Sequence, residues 1–183
     1  MLRTRVGYSG GTKKSPSYYS LGDQTETIAI DYDPKVISYE DLLNRFWNAH
    51  HCGSGFGDRQ YMNAVFYHNP EQKALAEKTR AEAAGRVGLS ITEVKTGIFP
   101  ATQFTYAENY HQKYSLTRHK KVRKFLSETY PTTKAFADSM VASRLNAWLG
   151  SGYTRDRKHL EAELESYGLP EEIKSYVLKN VRG

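Results

Sequence analysis

From residue 61 to residue 68 two interleaved sets of side chains, Tyr61, Asn63, Val65 and Tyr67 against Met62, Ala64, Phe66 and His68, are both largely apolar. A segment apolar on both sides reads as a strand buried on both faces, the central kind in an α/β sheet. Residues 25–32 alternate more simply. Ile28, Ile30 and Tyr32 fall on one side, and the run ends at Asp33-Pro34, which predicts a strand. Residues 89–95 alternate after Gly88 and predict a further strand. Elsewhere the period is helical. Ser38 caps a helix whose first turn carries Glu40 and Asp41 and whose apolar stripe is Leu42, Leu43, Phe46 and Trp47. Asn69-Pro70-Glu71-Gln72 combines a cap, a first-turn proline and a capping-box glutamine, and opens a helix reaching about Gly85.

The last third of the chain is helical throughout. Phe136, Met140, Val141, Leu145, Trp148 and Leu149 predict one helix over residues 132–149, ending at Gly150. Gly150-Ser151-Gly152 reads as a hinge. Two short helices follow at about 156–167 and 170–181, with Gly168 stopping the first and Pro170 starting the second. These patterns divide the chain into an α/β (α+β) core over residues 1–116 and a helical extension over residues 117–183, whose apolar positions are expected to pack on the protein itself.

Composition narrows the class. With 39% hydrophobic and 25% charged residues in 183, the chain is an ordinary globular mixture with enough length to bury a core. No run approaches a membrane span and the first residues lack a signal-peptide core. A cytoplasmic monomer is expected, a mitochondrial form remaining open. The net charge of +6 gathers in Arg118-His119-Lys120-Lys121-Val122-Arg123-Lys124, which reads as a solvated helix face rather than a nucleic-acid or membrane surface. A single cysteine excludes an internal disulfide and a four-thiolate zinc site. His50-His51-Cys52 has no second cluster to complete a metal site, so no metal is expected.

Candidate chemistry lies in three places. Glu26 enters its strand on the same side as the apolar set. A carboxyl carried inward must be paired, neutral or functional, while at a strand's start it can also be exposed. Tyr18 and Tyr19 sit in the loop after Pro16, as packing or as ligand contacts. The polar loop before Tyr61 carries Cys52 and Asp58. Residues 108–114, polar and aromatic together, suit a segment laid over a site.

Taken together, VGYSGG, PSYY, QTETIAIDYDP, SYEDLLNRFW, RQYMNAVFYHN and AENYHQKY resemble the A-type peptide methionine sulfoxide reductases, in the same order and at similar spacing, over roughly residues 3–116. The resemblance implies a mixed central sheet flanked by helices, a ferredoxin-like core missing its first strand. It implies thiol-dependent reduction of methionine S-sulfoxide, in proteins or as the free amino acid, a repair of oxidative damage. By position Glu26, Tyr18 and Tyr61 match the family's acid and two phenols, as catalytic and substrate-binding groups. Asp58 is assigned to substrate binding, although the family's aspartate falls nearer Phe56. No bound cofactor is implied. An external thiol, thioredoxin or dithiothreitol, would serve as reductant.

The family's nucleophile lies in a glycine-cysteine-phenylalanine-tryptophan motif that would precede Leu2, and Cys52 does not match it. The chain is therefore expected to be inactive by itself. It would be a shortened form of a reductase, or a non-catalytic module that binds oxidised methionine or a protein partner, or an enzyme in which Cys52 has taken the nucleophile's role.

Overall fold

The computed structural model describes residues 2–55, 57–150 and 157–181. Strands and helices are mixed, as the sequence predicts. β1 (Arg3–Ser9), β2 (Thr25–Asp31) and β5 (Thr105–Tyr106) form one sheet in the order β2-β1-β5, with β1 and β5 antiparallel. β3 (Ala64–Tyr67) and β4 (Gly97–Pro100) form a second, parallel pair. The helices are α1 (Tyr39–Asn48), α2 (Pro70–Arg86), α3 (Lys120–Thr129), α4 (Thr133–Asp138), α5 (Met140–Gly150), α6 (Arg157–Ser166) and α7 (Glu171–Asn180). The chain separates into two compact units, and β1 and β2 give residues to both.

The first unit takes in residues 7–28 and 32–107. Ser38 and Asp41 cap α1 reciprocally. The Ser38 hydroxyl accepts from the Asp41 N–H at 3.0 Å and donates to its carboxylate at 2.7 Å, which holds that carboxyl below its ordinary range. Leu43 and Trp47, one turn apart, are buried against Val65, Ala76 and Ala83, and the Trp47 indole donates to Thr79 Oγ1 at 2.9 Å. Each of the two large side chains contributes roughly 1.5–3 kcal/mol through burial. A parallel strand pair needs a crossover, and α2, capped by Asn69 with Pro70 in its first turn, supplies it.

Three local expectations for this unit are corrected. The stretch from Arg59 to His68 is not one central strand. Asp58 Oδ1 accepts from the Gln60 N–H at 2.9 Å and bends Arg59–Tyr61 into a 3₁₀ turn, so the strand begins only at Ala64. Its two apolar sides serve different neighbours: Val65 packs with α1 and α2, and Phe66 lies beside Phe99. Residues 89–95 hold a 3₁₀ turn at Ile91–Glu93, because the Glu93 carboxylate folds back to accept from the Ser90 N–H at 2.8 Å and its hydroxyl at 2.7 Å. The strand falls after it, at β4. Finally, the side of β2 carrying Glu26 and Ile28 faces outward: Ile28 is 57% exposed, whereas Thr25 is 1% exposed.

The second unit takes in residues 2–6, 29–31 and 108–181. Leu145 and Trp148 of α5, Leu160 and Leu164 of α6, and Ile173 and Val177 of α7 share one buried cluster, and α6 and α7 lie within a residue or so of their predicted bounds. The single helix expected over 132–149 is two. Ser139 is extended (ψ 123°) and its hydroxyl accepts from the Ala142 N–H at 3.0 Å, so it caps α5 instead of continuing α4. Lys113, 4% exposed, donates from Nζ to the Ala137 carbonyl at 2.8 Å and to the Thr4 carbonyl, covering one acceptor left at the end of α4. Gln112 clamps Val6 through both backbone groups, at 3.2 and 2.8 Å. The polar residues of 108–114 therefore include two that serve the backbone of this unit. The predicted hinge at 150–152 lies mostly outside the described residues. Among those residues, no helix is long and apolar enough to cross a membrane.

Candidate active site

Glycines and one arginine build the first unit's site. Gly10 adopts φ +89°, and a Cβ there would meet Phe66 Cε1 at 2.5 Å; at Gly11 a Cβ would meet the Asp23 carbonyl at 2.5 Å. Without side chains at these two positions the loop closes onto residues 23–24. The Asp23 carboxylate accepts from Thr12 N–H (2.7 Å), Thr12 Oγ1 (2.8 Å) and Lys13 N–H (3.0 Å), which pulls it down to about 2. Gln24 fixes the same loop, accepting from the Gly11 N–H at 3.0 Å and donating to the Lys13 carbonyl at 3.0 Å.

Arg59 joins this loop to the 3₁₀ turn. Its guanidinium donates to the Asp23 carbonyl at 2.6 Å and to the Gly10 carbonyl at 2.7 Å, while its own carbonyl accepts from Thr25 Oγ1 at 3.1 Å. The bonds set residues 60 and 61 beside residue 26. There the Gln60 amide donates to Glu26 Oε1 at 2.8 Å and to the Tyr61 hydroxyl at 2.9 Å. Tyr61 in turn shares a hydrogen bond with Tyr18, the main cause of a phenol pKa above its ordinary value; desolvation and the charges of Glu26 and Asp58 add to it. Tyr18 sits in the turn closed by the Ser17–Ser20 bridge, its ring edge-on to Tyr19 at 5.3 Å.

Glu26, Tyr18 and Tyr61, carried by three separate segments, thus meet in one hydrogen-bonded cluster. It is open: Glu26 is exposed and Tyr61 is 47% exposed. Asp58 stands beside it and caps the 3₁₀ turn, and Phe56 lies outside the described residues. Tyr19 is 89% exposed. Sequence reasoning passed over Gln60 and Arg59, which hold the cluster together; their only signal was their place in the RQY run beside Tyr61. A concavity of about 560 Å³ lies along α1, lined by residues such as Ile37, Asp41 and Arg45, and contains none of these groups.

Cys52 lies elsewhere. It is 2% exposed and packs with Leu43, Trp47 and Val65. His50 is occupied by the Phe46 carbonyl and Thr96 Oγ1, both at 2.9 Å, and His51 is exposed. Among the described residues no group of three or more His, Cys, Asp or Glu is placed to hold a metal ion.

The family model described as peptide methionine sulfoxide reductase matches residues 1–145. A Drosophila melanogaster peptide methionine sulfoxide reductase is 38% identical over 182 residues, covering 99% of this chain and 71% of that protein. Peptide methionine sulfoxide reductase A5 of Arabidopsis thaliana is 31% identical over 170 residues, 90% of this chain and 65% of its own length. The reduced-form crystal structure of Mxr1 from Saccharomyces cerevisiae superposes with a TM-score of 0.56 at 26% identity, over 64% of this chain and 71% of that one. Fold and relatives place the protein among the α/β oxidoreductases. The chain belongs to the peptide methionine sulfoxide reductase family.

Proposed function

We propose that the Glu26–Tyr18–Tyr61 cluster is the oxygen-handling part of a methionine S-sulfoxide site. The observation that carries this reading is the Gln60 amide bridging Glu26 and Tyr61 at 2.8 and 2.9 Å, with Tyr18 hydrogen-bonded beyond. A sulfoxide oxygen is a poor leaving group until it is hydrogen-bonded and protonated. A carboxylic acid together with phenol hydroxyls is the kind of group that supplies such donors. Hydrogen bonds to the oxygen also draw electron density from sulfur and prepare it for attack by a thiolate. Water reaches the cluster freely, which favours exchange of substrates carried on protein chains over deep enclosure of a small molecule.

The thiolate must come from a cysteine other than Cys52. A side chain 2% exposed beneath α1 and α2 offers no approach to a sulfoxide sulfur. The 183-residue chain is therefore expected to bind oxidised methionine and not to reduce it; a thiol such as thioredoxin would regenerate a family member carrying the nucleophile. In titration calorimetry, a peptide with methionine S-sulfoxide should bind measurably and its reduced counterpart should not; equal heats for both reject the reading. With dithiothreitol as reductant, turnover should be absent in both the natural chain and Cys52→Ser. Turnover in the first that disappears in the second would restore Cys52 as nucleophile.

A further inference from the structure

Three buried polar side chains of the second unit have no part in the sulfoxide site: Gln112 is 0%, Ser143 3% and Lys113 4% exposed. All three are turned onto β1. Residues two apart on a strand point their N–H and C=O groups to the same edge. At Gly7 and Tyr8 β1 pairs with β5, but at Thr4 and Val6 side chains take the place of a strand. The Thr4 N–H donates to Ser143 Oγ at 3.2 Å, and the Thr4 carbonyl accepts from Lys113 Nζ. The Val6 N–H donates to Gln112 Oε1 at 3.2 Å, and the Val6 carbonyl accepts from Gln112 Nε2 at 2.8 Å. All four backbone groups are therefore met. The Gln112 amide offers the same donor and acceptor as the peptide group of a neighbouring strand. Ser143 spends its proton on the Ser139 carbonyl at 2.9 Å, which leaves its oxygen to accept. From α3, Arg123 holds the Gln112 carbonyl at 2.6 Å.

A strand edge with open N–H and C=O groups is a template for another strand. This edge is also self-complementary. Laid antiparallel on its own copy about Arg5, Thr4 meets Val6 and Val6 meets Thr4, a two-fold arrangement. The opposed Arg5 side chains are each flanked by two carboxylates, Asp31 and Asp138 (3.5 Å), which tempers their repulsion. We propose that Gln112, Lys113 and Ser143 form a side-chain seal over the edge of β1 at Thr4 and Val6, and that the seal keeps a second copy of this chain from pairing there. Pairing requires local opening of the segment that carries the seal, and each hydrogen bond to the strand makes that opening rarer. The seal is independent of the sulfoxide reading and gives the helical unit a task of its own.

Hydrogen exchange and sedimentation of the full chain decide the matter. The natural chain should sediment as a monomer, with the Thr4 and Val6 amides protected. Ser143→Ala should speed exchange at Thr4 about ten-fold and leave Val6 nearly unchanged, and Gln112→Leu should do the reverse. A loss of stability without a seal would speed the protected amides of the unit together, and that result overturns the proposal. In Gln112→Leu/Ser143→Ala, sedimentation should show a dimer that grows with concentration and in which the Thr4 and Val6 amides are protected again. A variant that stays monomeric, or a dimer whose Thr4 and Val6 amides exchange freely, overturns the self-pairing. Should the double variant fail to fold, the two single variants carry the sedimentation measurement, each expected to dimerise more than the natural chain; no increase in either overturns it equally.

Discussion

Glu26→Ala is expected to weaken binding of a methionine S-sulfoxide peptide about ten-fold, the equivalent of one lost hydrogen bond of about 1.4 kcal/mol donated by the carboxyl to the sulfoxide oxygen. Two effects act together. The side chain proposed to meet the sulfoxide oxygen is removed, and the Gln60 amide, which also donates to the Tyr61 hydroxyl, loses its 2.8 Å acceptor. Exposure of Glu26 tempers the loss, since water can take the vacated place and compete for both partners. Calorimetry at neutral pH measures it, with circular dichroism to show that the variant is folded. Affinity within three-fold of the natural chain would mean that the carboxyl does not meet the substrate.

The second large effect lies in the helical unit and depends on pH. Lys113 is buried with its ammonium on two carbonyls, and burial, reinforced by Arg5 and Arg3, lowers its pKa from 10.5 to about 8. In the unfolded chain the same group keeps its proton up to 10.5. Between these values the unfolded state binds more protons than the folded one, so stability rises with pH. Taken over the whole interval the gain is about 3 kcal/mol. Tyr167 opposes it at higher pH. Burial and Glu163 push its phenol well above 10.0, so that above this value the unfolded chain loses a proton the folded unit retains, and stability falls. A rise from pH 8 to pH 10 followed by a decline is therefore expected in urea melts. Lys113→Met should abolish the rise; a slope unchanged by that substitution would show that another group produces it.

How much of this was legible in the sequence depends on the range of the interaction involved. The α/β class, α1, α2, α6 and α7 could be read from apolar spacing and caps, because Ser38, Asn69, Gly168 and Pro170 act on their own neighbours. The errors came where a polar side chain overrode the pattern. Asp58 and Glu93 each bent an alternating run into a 3₁₀ turn, and Ser139 cut one helical period into two. The cluster residues Glu26, Tyr18 and Tyr61 could be named from the family's motifs. Their common anchoring could not. It runs through Arg59 to backbone carbonyls at residues 10 and 23, and carbonyls have no identity in a sequence. The outward turn of Glu26 and Ile28 was hidden for a related reason: alternation tells which residues share a side, not which side is covered.

The two indoles of the chain are divided between its units, and their surroundings differ in kind. Trp47 donates to the neutral hydroxyl of Thr79 at 2.9 Å, and Trp148 to the Glu163 carboxylate at 2.6 Å. A negative charge at the pyrrole nitrogen and a neutral one there shift the excited state differently, so the two emissions carry separate signatures. Each half of the molecule thus comes with its own built-in fluorophore. Light at one excitation wavelength can follow the loss of either half, once Trp47→Phe and Trp148→Phe have assigned the bands.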